Sequence, residues 1–327
     1  MQYTQLGRSG LKVSRLILGT MNIGWTTPAD EGKLLLDRSL ELGINVIDTA
    51  NMYGGPSGPG ATETIIGEWF AQGGDRRERT VLATKLHNVM APFGSPETWP
   101  NESKLSALHI RRACEASLKR LQTDYIDLYQ MHHIDRTAPA DEIWQAMDQL
   151  VSQGKITYVG SSNFPGWKIA QMNEKAQARH SLGLVSEQSL YNLVERSAEL
   201  EVIPACKEYG LGVITWSPLS GGLLALNDDD GTGRRQSKSI KSAAQSRSDQ
   251  LTRFGDLCSS IGETATAVAL AWLLHQGGVT SNIIGPGSRA QLASVLHVST
   301  MQLSHETLAA IDEIFPPIGT SPEAYAW

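Results

Sequence analysis

Val46-Ile47-Asp48-Thr49-Ala50-Asn51-Met52-Tyr53-Gly54 starts as a short apolar run and ends on a loop rich in glycine and proline. The apolar start reads as a buried strand. Asp48 stands where that strand ends, and Tyr53 comes five residues later on the loop. A buried strand that ends in a carboxylate, with a titratable aromatic on the next loop, is how parallel (β/α)8 barrels present their chemistry. The plainer reading is that Asp48 caps the loop and Tyr53 packs against it. Two later strand-like runs weigh against it, because they also end in titratable residues, Lys85 and His132.

Around this stretch the chain alternates. Strand-like runs fall at Leu16–Gly19, Asn45–Asp48, Thr80–Lys85, Ile126–Met131, Thr157–Ser161, Leu184–Gln188, Gly212–Trp216 and Ser281–Gly285. Between them lie stretches with apolar residues three and four apart, such as Ile110, Ala113, Ser117 and Leu121, which is helical spacing. Eight strand–helix units predict a parallel barrel, an α/β (β/α)8 TIM barrel occupying residues 1–327 as a single domain. The alternative is a doubly wound open sheet. Ahead of the first unit, Tyr3–Gly7 and Leu11–Ser14 about Arg8-Ser9-Gly10 predict an N-terminal β-hairpin, placed outside the main sheet as a plug. Ser304–Phe315, closed by Pro316-Pro317, predicts an extra C-terminal helix. Asn227–Asp249 is the least structured stretch, and it reads either as a lid on the catalytic face or as a mobile insertion.

Composition narrows the function. The net charge of -6 offers no general attraction for nucleic acid or anionic lipid. No run of eighteen apolar residues and no leader-like start is present, so a cytoplasmic protein with no membrane partner is expected. Cys114, Cys206 and Cys258 lie far apart and are odd in number, which points to packing rather than disulfides or zinc. Oligomeric state leaves no signature.

In a parallel barrel the C-terminal ends of all strands face one mouth. Asp48, Lys85 and His132 end the second, third and fourth strands, and Tyr53 comes after the second. An acid, an ammonium, an imidazole and a phenol should therefore meet in one pocket. Such a set suits delivery of a proton to an oxygen. A phenol has a pKa of ~10, and an ammonium beside its oxygen lowers that value. A carboxylate keeps the ammonium charged, and a neutral imidazole donates a hydrogen bond to a carbonyl. Lys85 as a purely structural partner of Asp48 is the competing reading. A metal held by His132-His133 is not expected, because adjacent residues on a strand point to opposite sides. His87 and His109 read as incidental.

Set in their local strings, these four residues resemble the catalytic tetrad of the aldo-keto reductase family. The strings are Gly19-Thr20-Met21, Asp48-Thr49-Ala50, Tyr53-Gly54, Ala83-Thr84-Lys85, Gly160-Ser161-Ser162-Asn163-Phe164 and Trp216-Ser217-Pro218-Leu219, in the family's order over nearly the whole chain. The resemblance implies an oxidoreductase that transfers hydride from a nicotinamide cofactor to a small-molecule carbonyl substrate. It implies that Ser162, Asn163 and Gln188 hold the carboxamide of that cofactor and that Trp216 stacks on its ring. Ser217, Leu219 and Gly221 would approach the pyrophosphate. Gly55-Pro56-Ser57-Gly58-Pro59-Gly60 is not read as a dinucleotide fingerprint, since its prolines and position do not suit a glycine loop opening a helix.

The match loosens at Ile284–Leu292. Gly287 stands at a place that is often basic in the family, leaving Ser288, Arg289 and Gln291 to meet the adenosine end. Ser294 and Val295 replace residues that grip the adenine in many relatives. The expectation is NADPH rather than NADH, with fewer adenosine contacts than usual. Trp25, Phe93 and Trp99 are candidates for an apolar substrate wall, or for packing. Gly73–Arg77, Ile110–Leu118 and Ser321–Trp327 look similar to a bacterial subgroup that includes reductases of nucleotide-linked deoxysugar pathways, which suggests a keto-sugar, an aldehyde or a ketone. Two other classes are carried: an enone reductase of the same fold, and a cofactor-sensing binding protein with little turnover. An intact tetrad and no extra N-terminal segment favour an enzyme.

Overall fold

The computed structural model of the chain describes residues 1–91, 99–226 and 237–326. Two short strands, β1 (Tyr3–Gln5) and β2 (Lys12–Ser14), pair antiparallel as the expected hairpin. Next, in alternation, come β3 (Leu16–Gly19), α1 (Ala29–Glu41), β4 (Val46–Asp48), α2 (Ala61–Phe70), β5 (Val81–Leu86), α3 (Ala107–Leu121), β6 (Ile126–Met131) and α4 (Ala140–Ser152). The second half continues with β7 (Ile156–Ser162), α5 (Gly166–Ala178), β8 (Leu184–Leu190), α6 (Val202–Glu208) and β9 (Gly212–Trp216). After β9 come α7 (Lys238–Ser246), α8 (Ser248–Ser260), α9 (Ala265–His275), β10 (Val279–Ile284), α10 (Arg289–Ser294) and α11 (His305–Ile314). β3 to β10 close into one barrel in which every neighbouring pair is parallel. All eight expected strands are present, and the open-sheet alternative is excluded by closure.

The interior is layered along the axis. Ile17, Val46, Ala83, Leu128, Val185 and Ile214 meet inside the barrel, and Leu6 and Val13 of the hairpin segment join them from below. The hairpin is therefore the plug of the N-terminal end. It is fastened there by the Arg8 amide on the Gly210 carbonyl at 2.7 Å and by the Arg15 guanidinium on the carbonyls of Thr280 and Leu274, each at 2.7 Å. Side chains on one face of a strand recur every second residue. Val46 thus leads to Asp48, Ala83 to Lys85, Leu128 to Gln130, and Ile214 to Trp216. The lumen is apolar at its base and polar at its mouth.

β8 breaks the alternation. Its pairing with β7 slips by one residue between Val159↔Leu184 and Gly160↔Ser186. The extra residue is a bulge, which re-aims the side chains beyond it. Val185 and Gln188, three apart, consequently both face the lumen, and Glu187 faces outward toward the helices. Gly160 makes room for this, since a Cβ there would lie 2.6 Å from Ser186 Oγ.

Two expectations need correction. The stretch Asn227–Asp249 is not structureless throughout. Residues 227–236 lie outside the described residues, but α7 begins at Lys238, capped by Ser237, and sets Ile240, Ala243 and Ala244 against the core. Their i, i+3, i+4 spacing was hidden by the surrounding Ser, Lys and Gln. The Gly55–Gly60 segment does open a helix, because α2 starts at Ala61 directly after Gly60, and Arg120 lies over its first turn. The C-terminal helix α11 forms as expected with Ser304 as its cap, and it packs on α8.

Candidate active site

At the mouth, Lys85 is fully buried and its ammonium lies between two oxygens. Nζ is 2.6 Å from Asp48 Oδ2 and 3.3 Å from the Tyr53 hydroxyl, and it also donates to the Thr49 carbonyl at 2.9 Å. Burial alone would lower the lysine pKa, but Asp48 and Tyr53 outweigh it and hold the group above its ordinary value. Lys85 is therefore charged at neutral pH. Asp48 is anchored on its other oxygen by Gln188 Nε2 at 2.8 Å and Gln130 Nε2 at 3.1 Å. The Tyr53 ring meets His132 edge-on, with centroids 6.1 Å apart. Burial first, then the charge of Lys85 and the neighbouring His133 and His87, pushes His132 down to about 2, so its imidazole is neutral. Its Nδ1 is buried without a hydrogen-bond partner among the described residues.

The structure thus brings Asp48, Tyr53, Lys85 and His132 together. Gln130 was missed, although it is legible as the residue between Leu128 and His132 on the lumen face of β6. Gln188, which the resemblance assigns to the carboxamide, has its amide nitrogen on Asp48. His132 and His133 do not point apart: their rings stack with centroids 4.9 Å apart and planes 1° off parallel. The chain has left β6 at Met131, so strand alternation no longer governs it. His87 packs edge-on against His133 at 5.4 Å. Among the described residues, no group of three or more His, Cys, Asp and Glu side chains could hold a metal ion.

Across the mouth, Asn163 adopts a left-handed φ of 59°. Its amide donates to the His132 carbonyl at 3.1 Å and to Ser162 Oγ at 3.0 Å, and its oxygen accepts the Trp216 indole N–H at 3.0 Å. Ser162, Asn163, Gln188 and Trp216 therefore form one arc that runs from Asp48 to the His132 carbonyl. Ser217 (φ 53°), Gly221 (φ 68°) and Gly222 (φ 97°) give the next turn its left-handed backbone. The Gly221 amide bonds Ser217 Oγ at 3.2 Å, and Leu219 lies between them on that turn, partly buried against the core. At the far end, Ser288 Oγ caps α10 by accepting the Gln291 amide at 3.2 Å, while Gln291 Oε1 accepts the Gly287 amide at 2.7 Å. Arg289 is exposed. Trp25 lies against Gly55 on the Tyr53 loop, Trp99 is 78% exposed, and Phe93 lies outside the described residues.

This geometry agrees with the chain's likeness to known proteins. The family model described as the aldo/keto reductase family matches residues 15–315. The chain is 50% identical over the full length of both proteins to the uncharacterized oxidoreductase YrpG of Bacillus subtilis (strain 168). It is 33% identical to a putative voltage-gated potassium channel subunit beta of Schizosaccharomyces pombe, covering 96% of this chain and 93% of the relative. It is 30% identical to versiconal hemiacetal acetate reductase of Aspergillus parasiticus, covering 98% and 99%. The chain belongs to the aldo/keto reductase family and is an NAD(P)H-dependent oxidoreductase. Among the described residues no single helix is long and apolar enough to cross a membrane.

Proposed function

We propose that this chain is an NADPH-dependent reductase of aldehydes, ketones or keto-sugars in which Tyr53 is the general acid. The observation that carries this reading is the buried ammonium of Lys85 between the Asp48 carboxylate and the Tyr53 hydroxyl. The polar set fits the cofactor: Ser162, Asn163 and Gln188 spend their own hydrogens on one another and on Asp48, Gln130 and His132, so their oxygens keep lone pairs for a carboxamide N–H, and Trp216 offers an aromatic face fixed by its own N–H bond. Ser217, Leu219 and Gly221 stand for the pyrophosphate, and Ser288, Arg289 and Gln291 for the 2'-phosphate end. When bound, the reduced nicotinamide supplies the hydride that adds to the carbonyl carbon. Tyr53 gives its proton to the carbonyl oxygen, and the ammonium of Lys85 stabilises the phenolate left behind. Asp48 holds Lys85, and Gln130 and Gln188 hold Asp48. His132, neutral at all working pH values, orients the carbonyl by a hydrogen bond from its ring.

Tryptophan fluorescence titration with NADPH and with NADH tests this reading. Quenching by NADPH at lower concentration than by NADH supports the site and the Ser288–Arg289 assignment together. Equal responses would move the phosphate assignment off those residues, and no response to either would overturn the reductase reading. His132→Ala should raise KM for the carbonyl substrate by about tenfold or more and leave the NADPH dissociation constant within about twofold, as expected for a group that meets substrate. Lost NADPH binding would contradict that role.

The three strings suggesting a keto-sugar give the pocket no direct support. Arg77 bonds Asp127 at 2.8 Å near the start of β6, and Arg111 and Arg112 line an outer cleft between α3 and α4. Screening must therefore include plain aldehydes. An alcohol product supports carbonyl reduction; a saturated ketone would assign the enone chemistry. Likeness to the putative channel subunit favours a second reading, a cofactor-sensing protein, which binding without turnover would establish. Residues 1–327 are read as a single unit, and the widely spaced, buried cysteines fit a reducing cytoplasmic compartment.

A further inference from the structure

Glu187 is fully buried on β8, yet among the described residues it takes part in no ion pair. The buried carboxylates of Asp48 and Glu63 are, by contrast, matched by Lys85 and Arg120. A buried carboxyl without a counter-charge is costly to ionise. Here its bonds come from neutral donors: the hydroxyl of Ser161, the hydroxyl of Ser189 at 2.9 Å and the Phe164 amide at 3.1 Å. Two of these lie on either side of Ser162 and Asn163. The left-handed backbone of Asn163, which its neighbours must hold in place, is the point through which the His132 carbonyl and the Trp216 indole are joined.

Both protonation states can be accommodated. As a carboxylate, Glu187 accepts from Ser161. As an acid it donates to Ser161 Oγ, whose own hydrogen turns to the Ser186 carbonyl 3.4 Å away. Burial pushes Glu187 up to about 7, so both states are populated near neutrality. The surroundings add little charge. β7 presents Ser161, the turn after it presents the Phe164 amide, and β8 presents Ser189. From α6 comes the Cys206 thiol, which burial, with Glu187 second, raises far enough to stay protonated.

We propose that Glu187 is a positioning residue whose carboxylate, through Ser161 and the Phe164 amide, braces the Ser162–Asn163–Trp216 arc for the nicotinamide end of the cofactor, so that cofactor affinity rises with pH. The inference rests on the reading of that arc as the nicotinamide site. Deprotonation strengthens every bond the carboxylate accepts and fixes the arc. Protonation loosens it.

The test uses the full chain and Glu187→Gln, with dissociation constants read by tryptophan quenching between pH 6 and pH 8.5. NADH is the diagnostic ligand, because the 2'-phosphate of NADPH would itself titrate near pH 6. For the wild type, NADH affinity should rise about fivefold over this range, the low end of typical site-to-site coupling. For Glu187→Gln it should stay at the weak, low-pH level throughout. Melting temperature gives a second readout. The carboxyl is raised above its unfolded value, so its contribution to stability is complete below that value and is lost as pH rises through about 7. Glu187→Gln should therefore melt higher than the wild type at pH 8.5 while binding cofactor less tightly. A variant that keeps the wild-type slope, or a wild type whose NADH affinity is flat, overturns the inference. If Glu187→Gln does not melt cooperatively, Ser161→Ala takes its place: weaker binding with a reduced slope supports the brace, and unchanged binding refutes it. A wild type that binds neither dinucleotide overturns the site reading itself.

Discussion

Tyr53→Phe should lower kcat by about 10²–10⁴-fold, the usual contribution of a positioned general acid, and should leave the NADPH dissociation constant within about twofold. The substitution removes one oxygen. That oxygen is 3.3 Å from Lys85 Nζ and contributes to keeping the ammonium charged. The phenyl ring that remains still packs edge-on to His132, so the shape of the pocket survives. The Ser162–Asn163–Trp216 arc is held by bonds among its own members and to the His132 carbonyl, which is why binding and turnover should separate. Steady-state kinetics with an aldehyde, together with the fluorescence titration, measures both. Retained turnover would remove the phenol from the mechanism and leave His132 as the remaining donor at the mouth.

The second large effect falls on Lys85, where function and stability are joined. Lys85→Met should abolish measurable turnover and also destabilise the fold by about 3–5 kcal/mol, the cost of stripping the partner from a buried ion pair. Asp48 is 3% exposed and would be left facing only amide donors, Gln130 and Gln188. The double variant Asp48→Leu with Lys85→Met separates the two effects. Removing both charges should restore much of the lost melting temperature, because an apolar pair of similar volume avoids the desolvation penalty. Turnover should not return, since the phenol has lost the cation 3.3 Å away that would stabilise its phenolate. A double variant as unstable as the single one would mean that Lys85 acts on the fold through the Thr49 carbonyl instead.

How much was legible in the sequence depends on which signals are local. Each strand is a short apolar run in a barrel buried on both faces, and such runs can be recognised without knowing their partners. The tetrad was legible for a related reason. Once eight parallel strands are inferred, the fold itself brings the residues at their C-terminal ends to one rim. Gln130 needed only the period of two on β6 and could have been found. Glu187 could not. Its direction depends on a slip in pairing between β7 and β8, and nothing in Leu184–Leu190 taken alone says where the extra residue falls. The stacking of His132 on His133 escaped because it begins where the strand stops. Of the three strings that suggested a deoxysugar subgroup, Gly73–Arg77 lies between α2 and β5 and Ile110–Leu118 lies on α3.

The bulge in β8 makes the register of that strand part of the site's chemistry. If β8 ran on from the Val159↔Leu184 pair without the slip, Glu187 rather than Gln188 would stand opposite Ser162. The carboxyl would turn into the lumen beside Asp48, and the amide of Gln188 would turn away from it. Two acids would then share one ammonium. Removing the extra residue outright would leave both sides as they are. In this barrel a slip of register within one strand is equivalent to a change of charge at the rim.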